Sequence, residues 1–512
     1  MPYDTVGSLL TDAAARWPER PALLAPDGRS WTFVELLSDA RQVAGSLQTV
    51  LSPGERVAVW APNCPEWYLL QLGAGLAGAT VVTVNPAYRA AELADVLARS
   101  RSAVIVLADE FRGTALEELL AQVRGSLPEL RTAVPLRDWS AFLDSARPGA
   151  LPEVGPRDPA QIQYTSGTTG APKGAVLPHG AVAANGAVGA RRWGIMPGEV
   201  WLNAMPMFHV AGSVINALGA LAAGAAQLLC PFDPALVGAL VQRHRPSVAC
   251  LAGTMWAMLL DHGGADLSSL RLTITGGQSI PAELVRRVEA ATGGRMSILF
   301  GMTELCGTIT AVAPDADEMT RTQTCGLPLP GVRLRVIGPD GTVLPADDVG
   351  EIQVSGWLTM SGYFEDPDAT GRTLLPDGWL RTGDIGSVDA SGRLRISGRL
   401  KEMIIRGGEN IYPAEIEIRL REHPAVADAA VVGIPDPLYG ETVAAALVLR
   451  PGAEFPHEQE LTAWCRATLA PFKTPKRWIE LPTLPMTPSG KVRKFLVQEA
   501  ILTATGAVGH YV

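Results

Sequence analysis

The sequence predicts an α/β protein. Its large N-terminal domain has parallel-rich sheets flanked by helices plus a small β-barrel-like part, and an α+β C-terminal domain follows. Three observations carry this. Helical and strand-like runs alternate over the first 300 residues, the pattern of a mostly parallel sheet covered on both faces. From about Gly326 short alternating runs sit between Gly- and Pro-rich turns, as in antiparallel or barrel-like structure. Near Arg399 the texture changes again, to a compact mixture of helix and strand. The predicted boundary is 1–400 and 401–512.

The elements follow in order. Val6–Ala15 reads as helix, Val57–Trp60 as strand, Trp67–Ala77 as helix, Ala79–Val84 as strand, Ala91–Ser100 as helix and Ala103–Leu107 as strand. The rhythm continues through Ser247–Leu251, Arg271–Thr275, the helix Ala282–Thr292 and Ser297–Phe300. Val332–Ile337, Gly350–Val354 and Leu394–Ile396 are the short alternating strands. Pro413 opens a helix to about Arg421, since proline suits the first helical position, and Glu415 and Arg419 are spaced as an i,i+4 pair. Ala429–Ile434 and Val443–Leu449 are strands. Leu461, Trp464, Cys465, Thr468 and Leu469 mark one face of another helix.

Composition bounds the function. With 47% hydrophobic and 19% charged residues in a chain of 512, disorder is excluded and two to four domains are expected. Lys+Arg 43 against Asp+Glu 52 gives −9, which invites neither nucleic acid nor an anionic membrane. The six cysteines are scattered without a CxxC and read as reduced thiols. The first residues carry acids instead of a basic n-region, so no signal peptide is expected. Val210–Phe232 lacks charge but is Ala- and Gly-rich and holds Asn216 and Gln227. It reads as a buried helix and a strand, not a membrane span. A cytoplasmic location is expected.

Five segments carry chemistry. The first runs from Tyr164 to Gly174 and contains Thr165, Ser166, Gly167, Thr168, Thr169, Gly170 and Lys173. Glycines turn backbone N–H groups inward, hydroxyls add donors and the lysine adds a cation, a set suited to a polyphosphate. It is not a Walker A loop, because GxxxxGK[ST] is not met. The second is Phe300-Gly301-Met302-Thr303-Glu304, at the C-terminal end of a strand, where open α/β sheets bind ligands. Thr303 suits a phosphate and Glu304 suits Mg2+ through hard oxygen ligation; a capped helix start is the plain alternative. The third ends at Asp384 after a Thr-Gly turn, able to accept both hydroxyls of a ribose or simply to close a turn. The fourth holds Arg399, Lys401 and the run Arg406, Gly407, Gly408, Glu409. The fifth places Lys491 after Pro488-Ser-Gly. The last two, taken alone, are equally solvated basic surface.

In this order the five segments resemble the adenylate-forming superfamily, which includes acyl- and aryl-CoA synthetases, peptide-synthetase adenylation domains and luciferase. The resemblance covers essentially the whole chain and is greatest to acyl-CoA synthetases. It implies an ATP-dependent acid–thiol ligase (acyl-CoA synthetase, AMP-forming) that activates a hydrophobic carboxylic acid as acyl-AMP and then transfers the acyl group to CoA. It implies that the Thr165–Gly174 loop holds the β- and γ-phosphates, that Thr303 and Glu304 contact the α-phosphate and Mg2+, and that Phe300 lies by adenine. The family usually has Tyr at that position. Asp384 would bind ribose with Arg399 assisting, and Lys491 would neutralise charge as the carboxylate attacks. Lys401 falls at the hinge of a mobile C-terminal domain. Rotation there would withdraw Lys491 and bring the Arg406–Glu409 loop to the CoA side.

The same resemblance assigns the acid pocket. His209, with Phe208 and Val210, matches an aromatic-histidine motif that lines and gates it; the plain alternative is a satisfied core histidine. Ala211, Gly212 and Ser213 are small enough to leave room for a bulky acid, and Trp256 closes one side or packs in the core. Gly276, Gly277 and Gln278 line the adenine and acyl pockets along with Gly301 and Cys306. Gly276–Ile280 also looks like a carrier-protein phosphopantetheine site, but it lies between a strand and a helix of the large domain, so that reading is rejected. Gln278 is less usual there than a small residue. The alternatives left open are a stand-alone enzyme loading a carrier protein, a partner ligase sharing one half-reaction, and assembly as a homodimer. A non-catalytic nucleotide-binding protein is disfavoured because Lys173, Glu304 and Lys491 are all present.

Overall fold

A computed structural model describes residues 3–52, 54–147, 149–165, 172–278, 280–486 and 492–504. The chain groups into two compact units, 1–333 with 354–380, and 334–353 with 381–512. By this grouping the strands before Lys401 fall with the C-terminal part of the chain.

The first unit holds two large sheets, and the predicted strands supply part of each. One has the strand order Leu327–Pro328, Gly307–Ala311, Arg295–Met302, Leu272–Gly276, Val248–Cys250, Val200–Asn203, Ala226–Leu229, Pro21–Leu24, Ser30–Thr32. Its centre is parallel, from Leu272 paired with Arg295 to Leu24 paired with Leu228. The other runs Gly362–Tyr363, Lys173–Pro178, Pro159–Thr165, Thr80–Thr83, Arg56–Trp60, Val104–Leu107, Thr132–Pro135. It too is parallel except at its first two pairings. Central strands such as Thr80–Thr83, Val104–Leu107, Ala226–Leu229 and Val248–Cys250 are buried on both faces, unlike the edge strand Ser30–Thr32. Leu202, Leu228, Val241, Trp256, Leu259, Val285 and Ile298 form one buried cluster against the first of these sheets.

The helix Ala282–Thr292 begins and ends where its apolar periodicity does. The long helix Phe33–Val50 was not anticipated, although its start is written locally. Thr32 Oγ1 accepts the N–H of Glu35, and Glu35 Oε2 accepts the N–H of Thr32 at 2.8 Å, a reciprocal cap that satisfies two orphan donors. The uncharged segment after Val210 is a π-helix, Ala211–Leu218, followed by the short helix Gly219–Ala223 and the strand Ala226–Leu229. No described helix is long and apolar enough to cross a membrane. None of the six cysteines is in a disulfide.

In the second unit the short alternating runs form a four-stranded sheet of Arg333–Ile337, Gly350–Ser355, Leu380–Val388 and Leu394–Arg399. A five-stranded sheet carries Val426–Asp436 against Gly440–Leu449, with Ile404, Ile416, Leu420, Val431, Val443, Leu461 and Cys465 in its core. The helix Pro413–Arg421 is as predicted, but its Glu415–Arg419 pair is not. Glu415 meets Lys473 at 2.6 Å, and Arg419 stacks on Trp464 and bonds Glu422. The distant Lys473 and Trp464, with the i+3 Glu422, outcompete an i,i+4 pair that is worth only about 0.2–0.5 kcal/mol. Thr468 is exposed, beyond the end of the helix Glu458–Arg466, so it leaves the predicted apolar face.

Candidate active site

The phosphate-loop segment is flanked by two strands that pair with each other. Pro159–Thr165 and Lys173–Pro178 pair antiparallel, with Lys173 opposite Thr165. This register fixes both ends of the loop, and the Thr165 hydroxyl donates to the Lys173 carbonyl at 3.4 Å. Ser166, Gly167, Thr168, Thr169 and Gly170 lie outside the described residues.

The second motif sits further into its strand than expected. Arg295–Met302 continues past Phe300, which pairs with Thr310, and Gly301 pairs with Thr308 across a register shift. A Cβ on Gly301 would lie 2.2 Å from the Gly307 carbonyl oxygen, so only glycine permits this approach. The tight return places Thr303 and Glu304 in one 3-10 turn, both nearly buried at 8% and 9% exposure. Cys306, just beyond it, is fully buried, and burial pushes its thiol well above the ordinary value. It is therefore a packing residue, not a reactive one.

Glu304 and Lys173 come together through a residue that the sequence reading missed. Tyr363 donates its hydroxyl to Glu304 Oε1 at 2.8 Å, and the Lys173 ammonium lies 5.1 Å from its ring centroid. Gly362–Tyr363 is a two-residue strand bonded to Lys173–Pro178, with Tyr363 opposite Ala175. Burial, and then the Glu304 carboxylate, push the Tyr363 hydroxyl above its ordinary value, so it stays a proton donor. An isolated Gly-Tyr between turns carried no signal of this, because the strand it joins is far away in sequence.

His209 and Phe208 are half-buried and Val210 is buried, so His209 is not a core histidine. Its Nδ1 accepts the N–H of Ala211 at 3.3 Å, which leaves the ring proton on Nε2. The turn before it is held by Asn63, another residue that was missed. Asn63 Nδ2 donates to the carbonyls of Met205 and Cys230, and its Oδ1 accepts the N–H of Met207 at 2.8 Å. The Thr83 hydroxyl donates to the Phe208 carbonyl at 2.9 Å.

Two of the small residues after His209, Gly212 and Ser213, have a local reason to be small. A Cβ on Gly212 would lie 2.3 Å from the Pro206 carbonyl oxygen. Ser213 is fully buried and its hydroxyl accepts from Gln163 Nε2 at 3.0 Å. Trp256 is buried at 0% exposure, with its indole N–H donated to the Ile274 carbonyl, so it packs in the core. Gly276 ends the strand Leu272–Gly276, Gly277 is exposed, and the Gln278 amide lies close to Gly253.

In the second unit Asp384 lies within the strand Leu380–Val388 and not in a free turn. Gly383 has φ +68 there, and the Thr382 hydroxyl accepts the N–H of Asp384 while donating to the Ile352 carbonyl. Arg399 is opposite Asp384, with Nε 3.0 Å from Oδ1. Lys401 is exposed in the 3-10 turn Leu400–Glu402. Arg406 and Glu409 are paired ends of a tight hairpin whose Gly407 and Gly408 have φ +60 and +88. This two-residue turn needs positive φ twice, and the Arg406 guanidinium stacks 4.2 Å from the Tyr439 ring centroid. Lys491 lies outside the described residues. Just beyond it, Lys494 joins Glu402 and Glu417 at 3.0 and 2.9 Å.

Comparison with known proteins agrees with this geometry. Residues 10–364 match the family model described as AMP-binding enzyme, and residues 415–491 match the AMP-binding enzyme C-terminal domain. A putative acyl-CoA synthetase, YngI, of Bacillus subtilis is 34% identical, covering 97% of each chain. The 3-[(3aS,4S,7aS)-7a-methyl-1,5-dioxo-octahydro-1H-inden-4-yl]propanoyl:CoA ligase of Mycobacterium tuberculosis is 37% identical, covering 97% of this chain and 98% of its own. Among solved structures, ATP-bound MatB from Rhodopseudomonas palustris superposes with a TM-score of 0.89 at 29% identity, over 97% of this chain and 99% of that one. With motifs, fold and relatives in accord along its length, the chain belongs to the AMP-binding enzyme family of adenylate-forming enzymes.

Proposed function

We propose that this chain is an ATP-dependent acyl-CoA ligase for a hydrophobic carboxylic acid. In the first step a carboxylate oxygen attacks the ATP α-phosphorus and the bond to the β-phosphate oxygen breaks, giving acyl-AMP and pyrophosphate. In the second the CoA thiolate attacks the acyl carbonyl and AMP leaves. The observation that carries this reading is the convergence of Lys173 and Glu304 on Tyr363. A cation and a carboxylate from distant segments, at the mouth of a hydroxyl- and glycine-rich hairpin, suit a polyphosphate with its counter-ion.

Mg2+ fits this donor set. It is commonly held by one or two carboxylates and the substrate's phosphates, and Glu304 offers a carboxylate beside the Thr303 hydroxyl. Once bound, it neutralises phosphate charge. No group of three or more His, Cys, Asp or Glu able to hold a metal occurs among the described residues, so the phosphates must complete the ligand set. Lys173 and Thr165 bind phosphate oxygens, Phe300 stacks on adenine, and Asp384 with Arg399 holds the ribose. Lys491 aligns and neutralises two anions that otherwise repel.

His209 and Phe208 line the entrance for the acid. The functional division falls at Lys401. Turning there exchanges Lys491 for the Arg406–Glu409 hairpin, so that both steps use one pocket in a cytoplasmic enzyme. A panel of carboxylic acids with ATP and Mg2+, assayed for pyrophosphate and for acyl-CoA, tests the reading. Acid-dependent pyrophosphate and CoA-dependent thioester are expected; ADP formation, or thioester without pyrophosphate, overturns it.

A further inference from the structure

We propose that Tyr363 is a positioning residue that keeps Lys173 and Glu304 from neutralising one another before nucleotide arrives. The inference rests on the ATP-site reading above. The ammonium of Lys173 lies 5.1 Å from the face of the ring, and the carboxylate of Glu304 accepts the hydroxyl at 2.8 Å. One side chain thus satisfies both charges, the cation through its π face and the anion through its edge. Opposite charges free to approach in a partly buried site attract by several kcal/mol (about 4 at 4 Å and an effective dielectric of 20). A direct pair would have to be broken by every incoming phosphate.

The rest of the environment fixes Tyr363 in this role. Its backbone N–H donates to the Thr370 hydroxyl at 2.8 Å, and the next N–H, of Phe364, donates to the Gly174 carbonyl at 2.7 Å. The strand is therefore anchored to the hairpin that carries Lys173. The Glu304 carbonyl accepts the N–H of Met360, three residues before Tyr363. The same segment is tied by backbone bonds to Glu304 and to Gly174, next to Lys173, so the phenol has little freedom to leave them. Thr373 is the other side chain bonded to the phenol, and Asp366 is the nearby acid on its own segment.

The two halves of Tyr363 separate by mutation. Tyr363→Phe keeps the ring for Lys173 and removes the hydroxyl from Glu304; Tyr363→Leu removes both. ATP binding to the full chain is titrated calorimetrically in EDTA and again with Mg2+, with thermal melts alongside. For Tyr363→Phe, ATP affinity in EDTA is expected to stay near wild type, while the tightening contributed by Mg2+ falls about tenfold, the worth of a hydrogen bond to a charged group. Tyr363→Leu is expected to lose a further factor of about three in EDTA, the worth of a cation–π contact. A phenol that is merely structural lowers the melting temperature and weakens ATP equally in both conditions, which overturns the proposal, as does a Tyr363→Phe variant indistinguishable from wild type. Failure of the wild-type chain to bind ATP at all overturns the functional reading and this proposal with it, whereas wild-type binding with unaltered variants overturns this proposal alone.

Discussion

Arg399 Nε stands 3.0 Å from Asp384 Oδ1 across the antiparallel register that pairs the two residues, yet their surroundings differ sharply. The carboxylate is 5% exposed and the guanidinium 39%. The pair is therefore asymmetric. Removing Arg399 takes the ionic partner from a buried carboxylate, whereas removing Asp384 leaves a cation that water reaches. Arg399→Met is expected to cost about 1–2 kcal/mol in urea denaturation, below the figure for a fully buried pair because solvent already screens the arginine. Asp384→Asn, which keeps an acceptor, is expected to cost less while raising the KM for ATP more.

The Lys494 ammonium is bonded to Glu402 and Glu417 and is largely buried. Burial alone would lower its pKa; the carboxylates of Glu417 and Glu402 more than offset this and hold it raised. A raised lysine contributes stability that is complete below its unfolded value and lost as pH rises through the folded one, so neutral pH leaves it untouched. Lys494→Met strands two neighbouring carboxylates and is expected to cost about 3 kcal/mol at pH 7, with Lys494→Arg recovering most of it. Equal stability of the two variants would contradict this.

His179 gives the clearest acid dependence. It is fully buried, its Nδ1 accepts the N–H of Val6 at 3.4 Å, and burial lowers its pKa to about 4 although Asp158 opposes the shift. The unfolded chain therefore takes up a proton near pH 6.5 that the folded chain refuses. Stability is full above that value, falls as pH drops from about 6.5 to 4, and loses about 3 kcal/mol over that window before levelling. His179→Asn, which keeps an acceptor for Val6, is expected to flatten the curve in urea denaturation between pH 7 and 4.

Gly301→Ala tests the geometry beneath Glu304. Its Cβ would sit 2.2 Å from the Gly307 carbonyl, a backbone atom that cannot swing aside. The strands Arg295–Met302 and Gly307–Ala311 must part, at a cost of about 1–3 kcal/mol for overpacking. ATP-dependent activity is expected to fall further than the melting temperature explains, because Thr303 and Glu304 move with the turn. Wild-type activity in this variant would show that the close approach does not set the site.

Candidate site residues stood out in the sequence, whereas the residues that support them did not. Ala282–Thr292 and Pro413–Arg421 were legible end to end because periodicity and caps are local. Glu304, Asp384 and Lys173 stood out as candidates because the motifs that suggest their roles travel with their neighbours in the chain. Tyr363 and Asn63 were not, since each acts through a partner brought close only by the fold: 59 residues separate Tyr363 from Glu304, and 144 separate Asn63 from Met207. Gly212 and Ser213 misled for the same reason. Their size answers to the Pro206 carbonyl and the Gln163 amide, neither of them visible in the local pattern.

The central claim is that a hydrophobic acid passes through acyl-AMP on this chain before it reaches CoA. The most direct measurement is a single turnover of the purified full-length protein with acid, ATP and Mg2+ but no CoA, quenched and analysed by mass spectrometry, then repeated with CoA added. The account predicts enzyme-stoichiometric acyl-AMP with matching pyrophosphate, discharged to acyl-CoA and AMP when CoA arrives. Acyl-CoA from supplied acyl-AMP, with no acyl-AMP or pyrophosphate formed from ATP and any acid, would contradict it.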